Sequence, residues 1–348
     1  MSSCRASFSL EIQIGFSMSA TTILDLARAL GLSKTTVSDA LIGSGRVSEE
    51  TRKRVTDAAQ SMGYVSNKAA RSLRRRNMGA LGLYIPAYAR ALSFYMHFAF
   101  GAVAGTAAAG SDLTLHASEA KQFHVDGAVV IDAMDDDPVV QRMLDASLPI
   151  VFAGRSSRSL SPDLPIAIIE IDYREIVGCV LDKLRAGEAR RPGFIGMNLI
   201  HGPGWAMDAH RAFEAWCARQ GIAPHTATLA TDHDDNDLFQ AIAHLVQENH
   251  VDSLVVGPQG VAARALPMLQ QMGQRIANRD EPGFHLASLA GDPVGELGSA
   301  QILAMDLEPR RFGLAAVELL NEIVATPQAG IVHRFHRPDM VTWLSHEL

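Results

Sequence analysis

One stretch near the amino end constrains the fold more than any other, because it reads as three short helices followed by a run of basic residues. Thr22 can cap a first helix that Gly31 would end, and Ser33 can cap a second. A third helix is expected after Ser48, and Gly63 would end it. Two helices joined by a short glycine turn form a helix-turn-helix, so this stretch predicts a DNA-binding headpiece.

The spacing of small and apolar residues supports the helix pair. Ala27 is small enough to let two helices approach, and Gly31 follows at the position of the turn. Val37 then lies where a side chain can fill the gap between the two helices. Each feature is common alone, but their order and spacing together favour the helix-turn-helix.

Charge divides the chain into a basic front and an acidic body. Residues 18–77 contain 11 Lys and Arg against 5 Asp and Glu, a net of +6. From residue 78 onward there are 19 against 32, a net of −13. This division favours a polyanionic partner for the front and argues against general nucleic-acid coating by the body.

The same stretch resembles the headpiece and hinge of the LacI/GalR family of transcriptional regulators. The family's pattern runs T-x-x-D-x-A-x-x-A-G-V-S-x-x-T-V-S, then G-x-V-S-x-x-T-R-x-x-V, then G-Y-x-P-N-x-x-A-R-x-L. The matching positions are Thr22, Asp25, Ala27, Gly31, Ser33, Thr36, Val37, Ser38, Val47, Ser48, Thr51, Arg52, Val55, Gly63, Tyr64, Asn67, Ala70, Arg71 and Leu73. The resemblance implies a repressor that reads operator DNA and responds to a small molecule.

Two positions depart from the family's pattern. Asp39 stands on the recognition helix where the family usually has Arg, and Ser66 precedes the hinge where it usually has Pro. A carboxylate cannot make the bidentate contact to guanine that Arg makes, although it can accept a hydrogen bond from cytosine N4. The operator sequences of other members therefore do not transfer to this chain.

The motif assigns DNA contacts to both the headpiece and the hinge. We expect the base-edge contacts to come from Lys34, Thr35 and Asp39. The expected phosphate contacts are Thr36, Ser38 and Asn67. The full expected set is Thr22, Ser33, Lys34, Thr35, Thr36, Ser38, Asp39, Asn67, Ala70, Arg71 and Leu73.

Leu73 is a lone apolar residue in a segment rich in arginine. The resemblance implies that it wedges into a minor-groove step and kinks the DNA. Such insertion costs about a few kcal/mol of unstacking, which the additional contacts of the bent complex offset. The alternative is that Leu73 packs against the body.

The body alternates short apolar runs with helical patterns, which predicts parallel sheets covered on both faces. The runs lie at 80–86, 113–117, 127–131, 149–154, 167–172, 193–197, 253–257, 285–291 and 302–306. The expected helices lie near 93–109, 138–145, 174–186, 206–219, 237–249, 260–273 and 310–324. So many strands favour two α/β lobes with a ligand between them, at the carboxyl ends of the strands.

The resemblance extends to this body and implies the two-lobed, periplasmic-binding-protein-like effector domain of the family. The expected boundaries are an extension at 1–17, a headpiece at 18–65, a hinge at 66–77 and the body at 78–348. We expect one lobe to comprise 78–173 plus 307–330, and the other 174–306 plus 331–348. The family's helix before the third strand is truncated or missing here, since only residues 121–124 separate Ala120 from Val125.

Residues at the predicted strand ends suggest how a ligand is held. An aromatic face suits a sugar ring, and Arg or Asp suits its hydroxyl groups. The expected effector contacts are Tyr88, Arg155, Trp205, His210, Arg211, Gln259 and Asp292. The resemblance implies a sugar, sugar phosphate, nucleoside or purine. Gln259 stands where the family often has an acidic ligand residue, which favours an effector other than the commonest sugars.

No pattern in the chain predicts a metal site, a cofactor or a membrane span. The three cysteines lack C-x-x-C spacing, which fits a reducing cytoplasm. The acidic run at 232–237 fails as a calcium loop, because Asp237 replaces the required Gly and Ala243 the required Glu. It is expected to cap the next helix instead. Met18 is the expected true start of the chain.

The expected function is a cytoplasmic, dimeric repressor of transcription that pairs through its body and binds a palindromic operator. The resembling tetramers use a carboxyl-terminal heptad extension, and no such repeat follows Trp343. The alternative from another class is an enzyme acting on a small sugar, with a DNA-binding tail. No nucleophile or acid/base pair with recognisable spacing supports that alternative. A third alternative is architectural DNA binding without an effector.

Overall fold

The computed structural model describes residues 21–42, 47–64, 78–90, 92–156, 158, 160–198, 203–278, 281–326 and 330–338. The chain divides into two compact units, with the boundary between Arg76 and Asn77. The first carries the helix-turn-helix and the second carries two parallel sheets. Within the described ranges, none of the helices combines the length and apolar character needed to cross a membrane.

The headpiece consists of α1 (Ile23–Leu30), α2 (Lys34–Ile42) and α3 (Glu49–Ser61). Its core is formed by apolar side chains from all three helices, most of them small or β-branched, which suits the close approach of short helices. The buried members are Leu26, Ala27, Val37, Ala40, Val55 and Ala59. The predicted roles of Ala27 and Val37 in joining the first two helices are thus confirmed.

Capping residues set where these helices begin and end. Thr22 and Asp25 form a reciprocal capping box at the start of α1, and Gly31 ends the helix in the left-handed conformation with φ of 65°. The Ser33 hydroxyl accepts the Thr36 N–H at 3.0 Å and so starts α2. Ser48 accepts the Thr51 N–H at 3.3 Å at the start of α3.

The first lobe of the body is a six-stranded, wholly parallel sheet. Its strands, in spatial order, are β11 (Val332–His336), β5 (Ile166–Ile171), β4 (Ile150–Ala153), β3 (Ala128–Ile131), β1 (Ala80–Tyr84) and β2 (Asp112–His116). The helices α4 (Ser93–Ala108), α5 (Pro138–Asp145) and α10 (Pro309–Ala325) belong to this lobe. Gly101 of α4 and Gly313 of α10 let these two helices touch, because a Cβ at either position would collide with the facing backbone.

The second lobe is a five-stranded, wholly parallel sheet. Its strands, in spatial order, are β10 (Ile302–Ala304), β9 (His285–Ser288), β8 (Ser253–Val256), β6 (Pro192–Met197) and β7 (His225–Leu229). Its helices are α6 (Tyr173–Ala186), α7 (Gly204–Gln220), α8 (Asp235–Ala243) and α9 (Val261–Gln271), with a π-helical turn at His244–Glu248 after α8. Asp234 caps α8 together with Asp237, as expected for the acidic run.

All nine predicted strands and seven predicted body helices are present, but two strands were missed. Both β7 and β11 are edge strands whose sequences, HTATL and VHRFH, mix polar with apolar residues and contain no apolar run. Edge strands have one side open to water, so they need no continuous apolar run. The assignment of 331–348 to the second lobe is wrong for β11, which pairs with β5 of the first lobe from Val332↔Ala167 to His336↔Ile171.

The expected loss of a helix between β2 and β3 agrees with the structure. Residues 117–127 contain turns and extended chain, without a helix. Much of the edge strand β2 is exposed to solvent, and the side chain of Leu115 is 61% exposed. Below it, His116 is buried, and its Nε2 atom has no hydrogen-bond partner among the described residues.

Candidate DNA-binding surface and ligand cleft

The recognition helix α2 has one side fixed in the headpiece core and the other open to solvent. Val37 and Ala40 are buried, whereas Lys34 and Thr35 are exposed. The hydroxyl groups of Ser33 and Thr36 are hydrogen-bonded at 2.8 Å, which orders the first turn of α2. Exposed polar side chains on the first turn of a recognition helix are those that reach base edges in a helix-turn-helix.

The predicted DNA contacts on the headpiece do not all have the same exposure. Thr22 is exposed and caps α1, and Asp39 is half-buried on α2. Ser38 is only 6% exposed, so its expected contact with phosphate is not supported by this arrangement. Burial of Ser38 follows from its place directly after Val37, on the side of α2 that packs against the other helices. The expected hinge contacts lie outside the described residues: Asn67, Ala70, Arg71 and Leu73.

A cavity of about 150 Å³ lies between the two lobes of the body. Its walls come from the carboxyl ends of strands in both sheets, because parallel strands of the two lobes point at the same cleft. The first lobe contributes Asp132 after β3 and Arg155 after β4. The second lobe contributes His233 after β7 and Gln259 after β8.

Asp132 lies deepest among the charged groups of the cavity. Its carboxylate accepts the Tyr95 hydroxyl at 2.9 Å, and its main-chain oxygen accepts the Tyr88 hydroxyl at 2.7 Å. Burial raises the pKa of Asp132 to about 7, and the Tyr95 hydrogen bond partly opposes that rise. Burial likewise raises the pKa of Tyr88 and Tyr95, so both phenols stay neutral.

The Asp132 backbone has a left-handed φ of 45°, a conformation that Asn and Asp tolerate better than most residues. Gly154 makes room for the carboxylate, since a Cβ there would meet the Asp132 Oδ1 atom. The site therefore depends on a glycine at the end of the neighbouring strand.

An ion pair and a pair of stacked aromatic rings close one side of the cavity. The Arg155 guanidinium, from the first lobe, forms an ion pair with the Asp208 carboxylate on α7 of the second. Tyr173 and Trp205 stack with ring centroids 6.2 Å apart and an interplanar angle of 30°. A planar aromatic surface thus stands beside a fixed ion pair.

Gln259 and Asp292 join the lobes through the first turn of α4. The Phe94 N–H donates to the Gln259 side-chain oxygen at 2.8 Å, and the Ser93 hydroxyl donates to Asp292 Oδ1 at 2.7 Å. Asp292 also accepts the N–H groups of Val294 and Gly295, at 3.0 and 3.1 Å. Both residues were expected to contact the effector, and both bridge the lobes in this structure.

The seven predicted effector contacts are brought together only in part. Tyr88, Arg155, Trp205 and Gln259 line the cavity, and Asp292 lies beside it through its bond to Ser93. His210 and Arg211 are not among the described residues that line it. His210 packs against Phe194 at 6.0 Å, and Arg211 is exposed. The structure therefore does not bring these two side chains to the cavity wall, and their contact with an effector stays a prediction.

Sequence reasoning missed several residues of the cavity wall. Asp132 and Tyr173 directly follow predicted strands, so the same rule that suggested Arg155 could have found them. Phe94 and Tyr95 come instead from the first turn of α4, and Phe312 comes from α10. Their approach to the cleft depends on how helices pack across the sheet, which strand patterns do not reveal. No group of three or more His, Cys, Asp or Glu side chains in the described ranges could hold a metal ion.

Residues 22–67 match the family model described as bacterial regulatory proteins, lacI family. An HTH-type transcriptional regulator of Mycobacterium tuberculosis is 28% identical over 245 residues, which cover 61% of this chain and 67% of that protein. Further curated relatives match over 42% to 48% of their own length, so this chain spans less than half of each.

Two solved structures share the fold across both units of the chain. The lac repressor dimer bound to operator and the anti-inducer ONPF has a TM-score of 0.70 at 16% identity, covering 91% of this chain and 97% of that one. The complex of the transcriptional regulator CelR with cellobiose has a TM-score of 0.63 at 18% identity, with the same coverage. At these identities, the likeness shows the fold and leaves ligand and operator to be argued from the residues.

Proposed function

We propose that the chain is a member of the LacI family, whose model its residues 22–67 match, and that it represses transcription by binding a palindromic operator as a dimer. A small sugar-like molecule in the cleft between the lobes controls that binding. The hinge residues, including Leu73, transmit the state of the cleft to the DNA. The cleft binds its ligand without converting it.

The observation that carries the proposal is the exposed first turn of α2. Lys34 and Thr35 project from a helix whose orientation is fixed by Val37, at 0% exposure, and by the Gly31 turn. Such a helix can enter the major groove without losing headpiece contacts. Basic residues elsewhere in the front of the chain supply sequence-independent attraction to phosphate.

An apolar stripe on α4 suits pairing between two copies of the body. Met96, Phe100 and Val103 occupy successive turns of one helix side and are 47%, 50% and 49% exposed. Residues at this spacing share one face of a helix. Self-complementary apolar contact through this face would create the two-fold symmetry that a palindromic operator requires.

The sugar-like character of the effector is supported by the stacked Tyr173 and Trp205 rings and by charged groups around them. Aromatic faces contact the apolar side of a sugar ring, and Arg155 and Asp208 can bind hydroxyl groups. The solved relative with cellobiose gives a precedent for a sugar in this fold. Coupling between cleft and DNA of about 1 to 3 kcal/mol would change operator affinity roughly five- to 150-fold.

The test is selection of bound DNA from a random pool by the full-length protein, at a salt concentration near the physiological value. Salt must be fixed because non-specific phosphate binding falls steeply as it rises. We expect enrichment of a palindrome, which then serves as the probe in an effector screen. Turnover of the effectors found there would support an enzyme instead. A folded, dimeric protein that enriches no motif would contradict operator binding.

A further inference from the structure

The cavity between the lobes has walls suited to a positive charge. Six aromatic side chains line it: Tyr88, Phe94, Tyr95, Tyr173, Trp205 and Phe312. The face of an aromatic ring carries partial negative charge and attracts cations within about 6 Å of its centroid. Because the phenols of the buried tyrosines stay neutral, these rings contribute through their faces and hydroxyl groups.

Both arginines of the cavity wall are already held by carboxylates. Arg155 is paired with Asp208 across the cleft. Arg264 donates to Asp235 at 2.7 and 2.9 Å, through Nη2 and Nε. Neither guanidinium is therefore directed at the deepest part of the cavity, and neither balances the charge of Asp132.

Asp132 remains as a buried carboxylate that accepts a hydrogen bond from a neutral phenol, the Tyr95 hydroxyl. Glu170 also lines the cavity, and it faces the imidazole of His333 at 3.1 Å. The cavity wall thus contains more carboxylate groups than positively charged groups to neutralise them. A buried carboxylate without a cation is unfavourable, and a cation brought by a ligand would stabilise it.

We propose that the effector carries a protonated amine or another cationic nitrogen, which contacts the Asp132 carboxylate inside the aromatic wall of the cleft. This inference rests on the proposed function, since it specifies the ligand of the same cleft. An amino sugar satisfies both the proposed sugar binding and the proposed cation binding, because its ring suits the Tyr173 and Trp205 faces and its ammonium group suits Asp132. The cation preference is separable from the sugar ring, because small organic cations share it.

A neutral sugar could use Asp132 differently, as a partner for a hydroxyl group. Asp132→Asn separates the two chemistries, because the amide keeps hydrogen bonding and removes the negative charge. Asparagine also tolerates the left-handed backbone at this position, so the variant is expected to fold. Asp163→Asn is the matched control, since Asp163 is an exposed carboxylate at the amino end of β5, away from the cleft.

The experiment is calorimetric titration of the full-length protein with two matched pairs of probes at neutral pH, where the amine of D-glucosamine is still mostly protonated. One pair is D-glucosamine and D-glucose, and the other is choline and its uncharged analogue 3,3-dimethyl-1-butanol. We expect a cationic member to bind roughly tenfold or more tightly than its neutral partner. Asp132→Asn should remove that preference, and Asp163→Asn should keep it. Circular dichroism of both variants verifies that they fold.

Equal or tighter binding of the neutral member in both pairs would overturn the cationic effector. Binding of none of the four compounds at millimolar concentration would overturn it as well, as would a preference that survives in Asp132→Asn. A cationic probe that binds through Asp132 but leaves operator affinity unchanged would support the inference about the cleft. That same result would contradict the proposed control of DNA binding, so the two failures are distinguishable.

Discussion

Asp132 has a carboxyl group that folding removes from water, and burial raises its pKa from 3.8 to about 7. The unfolded chain therefore releases this proton at lower pH than the folded chain does. As pH rises from about 4 to about 7, ionisation of Asp132 increasingly favours the unfolded state. Above that range the resulting loss of folding stability stays constant. The groups facing the carboxylate are the neutral phenols of Tyr88, Tyr95 and Tyr173.

We expect Asp132→Asn to be as stable as the parent near pH 4 and to gain stability relative to it up to about pH 7. Because burial raises the pKa of Asp132 from 3.8 to about 7, this gain in stability is at most about 4 kcal/mol. Thermal unfolding of both proteins across this pH range measures it, with Asp163→Asn as the exposed control. Parallel melting curves at every pH would mean that Asp132 ionises normally in the folded protein.

The position of Asp132 could be predicted from the sequence, but its surroundings could not. Its position after the run GAVVI was visible in the sequence, but the absence of a neutralising guanidinium depends on Arg155 reaching Asp208 across the cleft. The two residues are far apart in sequence and lie on different lobes. Likewise Gln259 and Asp292 were correctly placed at strand ends, yet only packing reveals that they meet the first turn of α4.

The recognition helix α2 allows a sharper test of how DNA is read. Lys34→Ala should lower affinity for the selected operator about five- to 150-fold if Lys34 contacts a base edge, and should relax preference at one position. Lys53→Ala, on exposed α3, removes the same charge from the same domain and serves as the control. Equal losses on operator and random DNA for Lys34→Ala would assign it to phosphate instead. Binding at two salt concentrations separates these outcomes.

The helix α4 is expected to carry the contact between two copies of the body. Phe100→Asp places a charge in the centre of the apolar stripe, and we expect it to weaken dimerisation by about tenfold or more. Sedimentation at several protein concentrations measures the change. Val294→Asp, at a side chain that is 95% exposed on the other lobe, is the matched control. An unchanged dimer in Phe100→Asp would move the interface elsewhere.

Helices and central strands were predictable because their patterns arise from burial on one or both sides. The central strands β3, β4 and β8 are buried at every position. Of the four edge strands, β2 and β10 were predicted, whereas β7 and β11 were missed because contact on one side leaves room for His, Thr and Arg. The lobe to which β11 belongs was also predicted wrongly. The sequence of a strand does not determine which other strand it pairs with.

The two lobes are joined by polar contacts whose energies are small enough for the cleft to open and close. One neutral hydrogen bond contributes roughly 0.5 to 1.5 kcal/mol net and one to a charged group about 1.5 to 3 kcal/mol, so a ligand that bridges the lobes can compete with these contacts. Three such contacts are Ser93 with Asp292, Phe94 with Gln259, and Arg155 with Asp208. Because α4 supplies two of them, the helix proposed to pair subunits also senses the cleft. Closure and dimer geometry are thereby linked through one rigid element.

Removing one of these contacts should shift the cleft toward its open form without disturbing either sheet. Gln259→Ala takes away the acceptor of the Phe94 N–H, so we expect that amide to exchange with deuterium about fivefold faster, in line with about 1 kcal/mol for one hydrogen bond. Ser93→Ala should act in the same direction through loss of the bond to Asp292. Gln141→Ala, at an exposed glutamine of α5, should leave exchange at Phe94 unchanged. If Gln259→Ala exchanged at the parent rate while unfolding at the parent temperature, the Phe94 contact would not hold the lobes together, and closure would depend on the Ser93–Asp292 bond and the Arg155 ion pair.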